Sequence, residues 1–344
     1  KCKLMAVVKT RAYGHGAVQI SSHLNKIGIG AFAVATIDEG IELRKHGIRG
    51  EILILGYTSI YRASELKKYD LMQTLIDFDY ALALNEQNVV IKTHIKIDTG
   101  MHRLGIDYSD FFKIKQIFAM KNMVVCGIYT HLCCSNSLEP DDARYTRKQI
   151  RCFYDMIDAL KNSNIAVPKI HIQSTYGLLN YPDLACDYIR AGIALYGVLS
   201  SPNKKTNLKL DLRPVLSLKT RVVFIRQVRK GDIVGYDRKY KADRDSRIAI
   251  LSIGYGDGFP RNLSCQNGKV CLHGRYAPIV GQICMDQLAV DVTKVNHVSP
   301  GDVAILIGTD NNTQISAPVV SDCSDSISNE LLCRMGERLP VVIT

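Results

Sequence analysis

Eight short apolar runs rich in β-branched residues divide the first 200 residues of this chain, at 4–9, 31–36, 51–56, 72–77, 93–98, 124–132, 169–174 and 188–197. Amphipathic stretches lie between them, at 38–46, 80–87, 109–120 and 141–161, with a shorter connection after the seventh run. Runs this short and this apolar suit strands buried on both faces. Strand alternating with helix eight times predicts an α/β fold, a (β/α)8 TIM-like barrel. An open doubly wound sheet has the same alternation, but no Gly-x-Gly-x-x-Gly follows the first run to mark a dinucleotide site.

Beyond Leu199 the pattern changes. Ser200, Ser201, Pro202 and Asn203 open a linker, and the runs that follow at 216–228, 247–253, 269–272, 278–283, 288–292 and 303–307 are short and separated by Gly, Asp and Asn turns. One late helix is expected at 319–333. The expected organisation is a barrel over 1–199, a linker over 200–210 and a smaller, mainly-β domain over 211–344. The opening Lys1-Cys2-Lys3 has no methionine and runs straight into a strand, which reads as a cut with further chain upstream.

The 44 basic and 33 acidic side chains leave a formal +11, yet the excess is regional: residues 203–247 hold 14 Lys/Arg against 5 Asp/Glu. That segment lacks the interleaved aromatics of a nucleic-acid surface, so a solvated linker and domain face is the expectation, with no nucleic-acid partner. Eleven cysteines, an odd number with no Cys-x-x-Cys, point to reduced thiols in a cytoplasmic compartment. His131 stands near Cys133 and Cys134, but no second ligand pair follows at finger-like spacing, so no metal is expected. No apolar run is long enough to span a bilayer and no signal peptide opens the chain.

In a barrel the chemistry collects where strands end. Lys9 closes the first run and leads into Thr10-Arg11-Ala12-Tyr13-Gly14-His15-Gly16. Taken alone it reads as a strand-end lysine whose stem covers apolar surface; an apolar approach and a glycine-rich exit also suit a Schiff-base lysine. Arg103 follows the fifth run, His131 closes the sixth and His171 to Thr175 close the seventh, while Arg190, Gly192 and Ile193 lie on the eighth. Ser174 and Thr175 offer hydroxyls and Gly192 and Ile193 offer backbone N–H groups, at the place where barrels hold phosphate. A phosphorylated ligand beside a lysine suggests pyridoxal 5'-phosphate.

Four motifs in order carry a resemblance to the fold-type III alanine racemases over essentially the whole chain. They are Ala-Val-Val-Lys-x-x-Ala-Tyr-Gly-His-Gly at 6–16, Lys-x-Asp-Thr-Gly-Met-x-Arg-x-Gly at 96–105, Gly-Tyr-Gly-Asp-Gly at 254–258 and Ile-Cys-Met-Asp-Gln at 283–287. The resemblance implies an amino-acid racemase with Lys9 linked to pyridoxal phosphate and Tyr13, Ser174, Thr175, Gly192 and Ile193 on the phosphate. Arg190, backed by His171, would face the pyridine nitrogen. Tyr236 would be the second base, acting in the other subunit of a homodimer with shared sites, and Arg103, His131 and the Met285 backbone would meet the substrate. Lys96 matches a position where such enzymes often carry a carbamylated lysine. Inversion at Cα needs two acid/base groups on opposite faces, which suits Lys9 and Tyr236.

The chain departs from the family at Asn329, in Asn329-Glu330-Leu331-Leu332-Cys333, where a tyrosine is usual, and at Ser174, where the phosphate cup usually has asparagine. An amide in place of a phenol enlarges the pocket and offers a partner to a hydroxymethyl group, so serine is favoured over alanine. Such a chain resembles the VanT-type serine racemases of vancomycin-resistant bacteria, in which a membrane segment precedes the racemase domain and D-serine feeds modified cell-wall precursors on the cytoplasmic side. Two other readings stay in view. A non-catalytic pyridoxal phosphate carrier is a single barrel without a second domain, and a decarboxylase of the same architecture would need a cysteine at the substrate.

Overall fold

The computed structural model describes residues 2–336 and 338–344; Lys1, where the expected first domain begins, lies outside them. The chain forms two compact units. The first comprises residues 1–195 with 204–211, and the second 196–203 with 212–344. The stretch expected as a linker over 200–210 is thus shared out, its first residues packing with the second unit and the rest with the first.

In the first unit eight parallel strands form a nearly closed barrel: β1 (Lys3–Val7), β2 (Ala31–Val34), β3 (Glu51–Ile54), β4 (Met72–Leu75), β5 (Ile91–Asp98), β6 (Met123–Tyr129), β7 (Lys169–His171) and β8 (Tyr188–Ala191). From β1 to β7 each pairs with the next, β1 also pairs with β8, and the ring meets itself between β7 and β8. There the Asp187 N–H donates to the Ile170 carbonyl at 2.8 Å and the Arg190 N–H to the Gln173 carbonyl at 3.0 Å. Every residue of β2 and β4 is buried, as expected of strands with a packed interior on one face and helices on the other. The helices begin on recognisable signals. Thr36 caps Ile37–Lys45 in a capping box with Glu39, Asp77 caps Phe78–Asn85, and Pro140 followed by Asp141 and Asp142 opens the long helix Pro140–Asn162.

Three local expectations need correction. β1 stops at Val7, so Lys9 stands past the strand rather than ending it, and Thr10, Arg11, Ala12 and Tyr13 make one left-handed turn with φ between 52° and 54°. β8 ends at Ala191, leaving Gly192 beyond it and Ile193 opening a single helical turn. The helix expected at 319–333 is two, Ala317–Asp322 and Ser328–Cys333. Ser321 Oγ turns back to the Pro318 carbonyl and Ser324 Oγ to the Ser321 carbonyl, so serine hydroxyls compete for carbonyls that a continuous helix would use.

The second unit is an antiparallel sheet built on β9 (Leu218–Val228), β10 (Ser246–Leu251), β11 (Lys269–Leu272), β12 (Arg275–Val280), β13 (Leu288–Asp291) and β14 (Val303–Asp310). The first half of β9 pairs with β14 and the second half with β10, which closes these six strands into a ring. Val228, Tyr240, Ala242, Ile248, Val280 and Ala289 pack one of its apolar clusters.

Candidate active site

The left-handed turn after Lys9 is costly, about 1–2 kcal/mol per residue for L-amino acids, and needs outside support. Glu39 supplies it. Its carboxylate accepts the Thr10 N–H at 2.6 Å, the Ala35 N–H at 2.6 Å and the Thr36 N–H at 3.2 Å, tying the turn to the end of β2. Inside the turn the Ala12 N–H reaches the Val8 carbonyl at 2.9 Å and the Gly14 N–H the Thr10 carbonyl at 3.1 Å. The result fixes the half-buried Lys9 at the turn's start and brings the Tyr13 phenol over Gly192. A Cβ at residue 192 would lie 2.7 Å from Tyr13 Oη, so any side chain there would have to push the phenol aside. Thr175 Oγ1 accepts the Gly192 N–H at 3.2 Å, and Ser174 immediately precedes the helix Thr175–Asn180. Ile193 is buried behind them.

Arg190, 4% exposed, crosses the end of the barrel. One terminal nitrogen contacts His171 Nδ1 at 2.8 Å and the His171 carbonyl at 3.1 Å; the other reaches the Thr130 carbonyl at 2.8 Å and His131 Nδ1 at 3.2 Å. No hydrogen bond to a described residue uses its Nε. Tyr129 stacks on the His171 ring at 4.6 Å, with the Arg190 guanidinium 5.0 Å from the tyrosine ring. Burial lowers Arg190 to about 10, which leaves it charged at neutral pH. Behind it His171 contacts His94, and burial holds both rings neutral, with His94 down at about 4.

Asp98 organises the loop after β5. Burial works against its charge, but one carboxylate oxygen accepts the N–H groups of Gly100, Met101 and His102 at 2.9, 2.9 and 3.1 Å, keeping it below the usual carboxylate range. That nest holds the exposed Arg103 at the rim. Lys96, 5% exposed, has burial and the charges of Arg103 and Arg190 against it, with Lys9 adding a smaller push, and falls to about 8. Burial and then Arg190, Arg103, Lys96 and Lys9 drive His131 down to about 3. Four cationic side chains thus converge on one neutral imidazole, a field that favours anionic ligands.

Tyr236, Met285 and Asn329 belong to the second unit. Tyr236, 64% exposed, opens a short turn that Asp237 anchors by accepting from Gln282 Nε2 at 2.5 Å. Among the described residues its phenol has no hydrogen-bond partner. The motifs at 254–258 and 283–287 lie against each other: the Tyr255 N–H donates to the Cys284 carbonyl at 3.0 Å and the Gly256 N–H to the Met285 carbonyl at 2.9 Å. A Cβ at residue 254 would sit 2.3 Å from both the Cys284 and Met285 carbonyl oxygens, which explains the glycine. Asn329 Oδ1 accepts the Ser200 hydroxyl at 2.7 Å. Glu39, His94 and Gln149 were not singled out from the sequence, although His94 stands two residues before Lys96 and therefore on the same face of β5.

The chain matches two family descriptions in order: alanine racemase, N-terminal domain, over residues 1–200, and alanine racemase, C-terminal domain, over residues 215–343. It belongs to the alanine racemase family. It is 55% identical over 342 residues to an amino-acid racemase of Enterococcus faecalis, covering 99% of this chain and 48% of that protein. To a serine/alanine racemase of Enterococcus gallinarum it is 42% identical over 339 residues, covering 98% of this chain and 47% of the relative. The chain therefore spans about half the length of these relatives. The crystal structure of alanine racemase from E. faecalis shares the fold with a TM-score of 0.91 at 30% identity, covering 98% of this chain and 90% of that one.

Enzymes of this family depend on pyridoxal phosphate, and the residues present fit that group. A buried guanidinium keeps Nε uncommitted, a phenol closes over a glycine at a distance that a side chain there would disturb, and several cations favour an anion. No described helix is long and apolar enough to cross a membrane.

Proposed function

We propose that this chain is the racemase part of a pyridoxal phosphate-dependent enzyme that interconverts L- and D-serine and L- and D-alanine, with serine preferred. It acts as a homodimer with shared sites. The observation that carries the reading is Arg190: the barrel consumes both terminal nitrogens of its guanidinium and leaves Nε as a donor.

Bound pyridoxal phosphate supplies an electron sink that makes the substrate Cα–H acidic. Lys9 Nζ would be the attachment point and the base on one face. The Tyr13 phenol, the Ser174 and Thr175 hydroxyls and the Gly192 and Ile193 N–H groups would hold the phosphate. Arg190 Nε would be the donor for the ring nitrogen, with His171 orienting the guanidinium. Because arginine keeps its proton, it would support that nitrogen without protonating it, which would moderate electron withdrawal and limit side reactions. The Tyr236 phenol of the partner subunit moves the proton at the opposite face, as inversion requires. Arg103, His131 and the Met285 backbone meet the substrate carboxylate. Lys96, lowered to about 8, has a neutral fraction able to add carbon dioxide with release of a proton, and the resulting carbamate would brace Arg103.

Serine preference rests on Asn329. The Ser200 hydroxyl occupies its Oδ1, which leaves the amide Nδ2 to donate to a substrate hydroxyl, and the small side chain makes room for it. The D-amino acid made then serves cell-wall precursors, the role implied by the resemblance set out from the sequence motifs. A chiral chromatographic time course with added pyridoxal phosphate and equal L-serine and L-alanine tests the reading. D-serine ahead of D-alanine supports it, D-alanine ahead removes the pocket argument, and no D-isomer removes the racemase.

A further inference from the structure

Cys133 and Cys134 are neighbours in sequence, yet their sulfurs lie 3.4 Å apart. Successive side chains of extended backbone point to opposite faces, so this approach depends on the bend the chain makes just after His131. Both thiols are free and half-buried. Cys134 borders an open cavity of about 590 Å³ together with Asp141, Tyr145 and Lys148. Cys133 is wired inward. Its N–H and its thiol donate to Gln149 Oε1 at 3.1 and 3.3 Å, and the fully buried Gln149 donates through Nε2 to Thr99 Oγ1 and to the His131 carbonyl, each at 3.4 Å.

From this geometry we infer that Cys133 and Cys134 form a dithiol site for trivalent organoarsenicals, and that capture there is transmitted through Gln149 to His131. In the reaction of R–As=O with the two thiols, two As–S bonds form and the As=O bond breaks. The two thiol protons leave with the oxygen as water. Arsenic stays trivalent and no electron is transferred, so no oxidant or reductant is needed. The sulfurs already sit close enough for one arsenic atom to bridge, so ring closure loses little freedom and a monothiol cannot match it. The cavity beside Cys134 accommodates the organic group. Burial and the adjacent Cys134 thiol push the Cys133 thiol up to about 11. Cys133 therefore stays protonated near neutral pH, which makes that thiol a poor target for alkylating reagents that need a thiolate. Bridging takes the Cys133 sulfur away from Gln149 Oε1, and the same amide holds the His131 carbonyl.

The test adds one equivalent of phenylarsine oxide to the chain with bound pyridoxal phosphate, in excess glutathione, and maps adducts by peptide mass spectrometry. One adduct bridging residues 133 and 134 is expected, reversed by 2,3-dimercaptopropanol, lost in Cys133→Ser and in Cys134→Ser and kept in Cys2→Ser. The control matters because Cys2 and Cys186 are a second close pair, with sulfurs 2.9 Å apart. An adduct on that pair, no adduct, or one that survives Cys133→Ser overturns the site. The NMR resonances of the His131 ring are expected to shift on loading and return with the dithiol. Unmoved resonances in fully loaded protein overturn the transmission. Neither arm depends on the proposed activity.

Discussion

His171 and His94 share a 2.8 Å hydrogen bond inside the barrel, and Arg190 fixes its direction. A guanidinium only donates, so His171 Nδ1 accepts. Its proton then sits on Nε2 and is given to His94 Nδ1, which places the His94 proton on Nε2. That buried atom has no partner among the described residues. Neither ring has room for a second proton without breaking the chain of donors.

Acid should therefore weaken the fold before most carboxylates titrate. The unfolded chain binds a proton on each histidine near pH 6.5, while burial holds His94 at about 4 in the fold. The stability is complete above about 6.5 and is lost as pH falls towards about 4, at roughly 1.4 kcal/mol per unit for one such group. Urea unfolding at about pH 7 and about pH 4.5 measures the loss. His94→Gln keeps an acceptor for His171 and removes the titration, so its loss should be smaller; an equal loss would contradict the assignment.

Glu39→Ala should release the left-handed turn. Three backbone N–H groups lose a charged acceptor, for a total on the order of 3 kcal/mol. Faster amide exchange at Thr10 and Ala35, with the amides of β5 unchanged, is the expected signature. Uniformly faster exchange would indicate global destabilisation instead.

Gly192→Ala places a methyl 2.7 Å from Tyr13 Oη. Overpacking of this kind costs about 1–3 kcal/mol, so the dissociation constant for pyridoxal phosphate should rise by about tenfold or more. A spectrophotometric titration reads it, and unchanged affinity would separate Tyr13 from the phosphate.

Asn329→Tyr should lower the ratio of D-serine to D-alanine formation by about tenfold or more, since the substrate hydroxyl loses an amide donor and gains a bulky neighbour. Competition between the two L-amino acids in one vessel gives the ratio directly. A constant ratio would detach residue 329 from specificity.

The barrel was legible because eight apolar runs alternate with amphipathic stretches and no dinucleotide fingerprint marks the open sheet that shares this alternation, and the ends of β3 to β6 fall within a few residues of the apolar boundaries. The turn after Lys9 was not, because Thr, Arg, Ala and Tyr carry no preference for left-handed backbone. The turn exists through Glu39, a residue nearly thirty positions away whose local signal was only a helix cap. The late helix failed for a related reason: Ser321 and Ser324 read as tolerable helix residues until their hydroxyls are seen turned onto the backbone. Of the site, spacing set His171 and Arg190 on their strands, whereas Lys9, Gly192 and Ile193 lie past the strands it assigned them, and Tyr13, Tyr236, Met285 and Asn329 came from the family resemblance. Gln149 and His94 act through partners distant in sequence, and the one local mark is that His94 shares a face of β5 with Lys96.

The seam between β7 and β8 carries few backbone bonds, and the Arg190 side chain crosses it to grip His171 twice. The guanidinium thus also serves as a rivet in the wall of the ring. Replacing it removes a structural fastener together with a chemical group, so a slow Arg190 variant reports on chemistry only after its seam has been shown to stay shut. Exchange rates of the Asp187 and Arg190-position amides are the natural gauge.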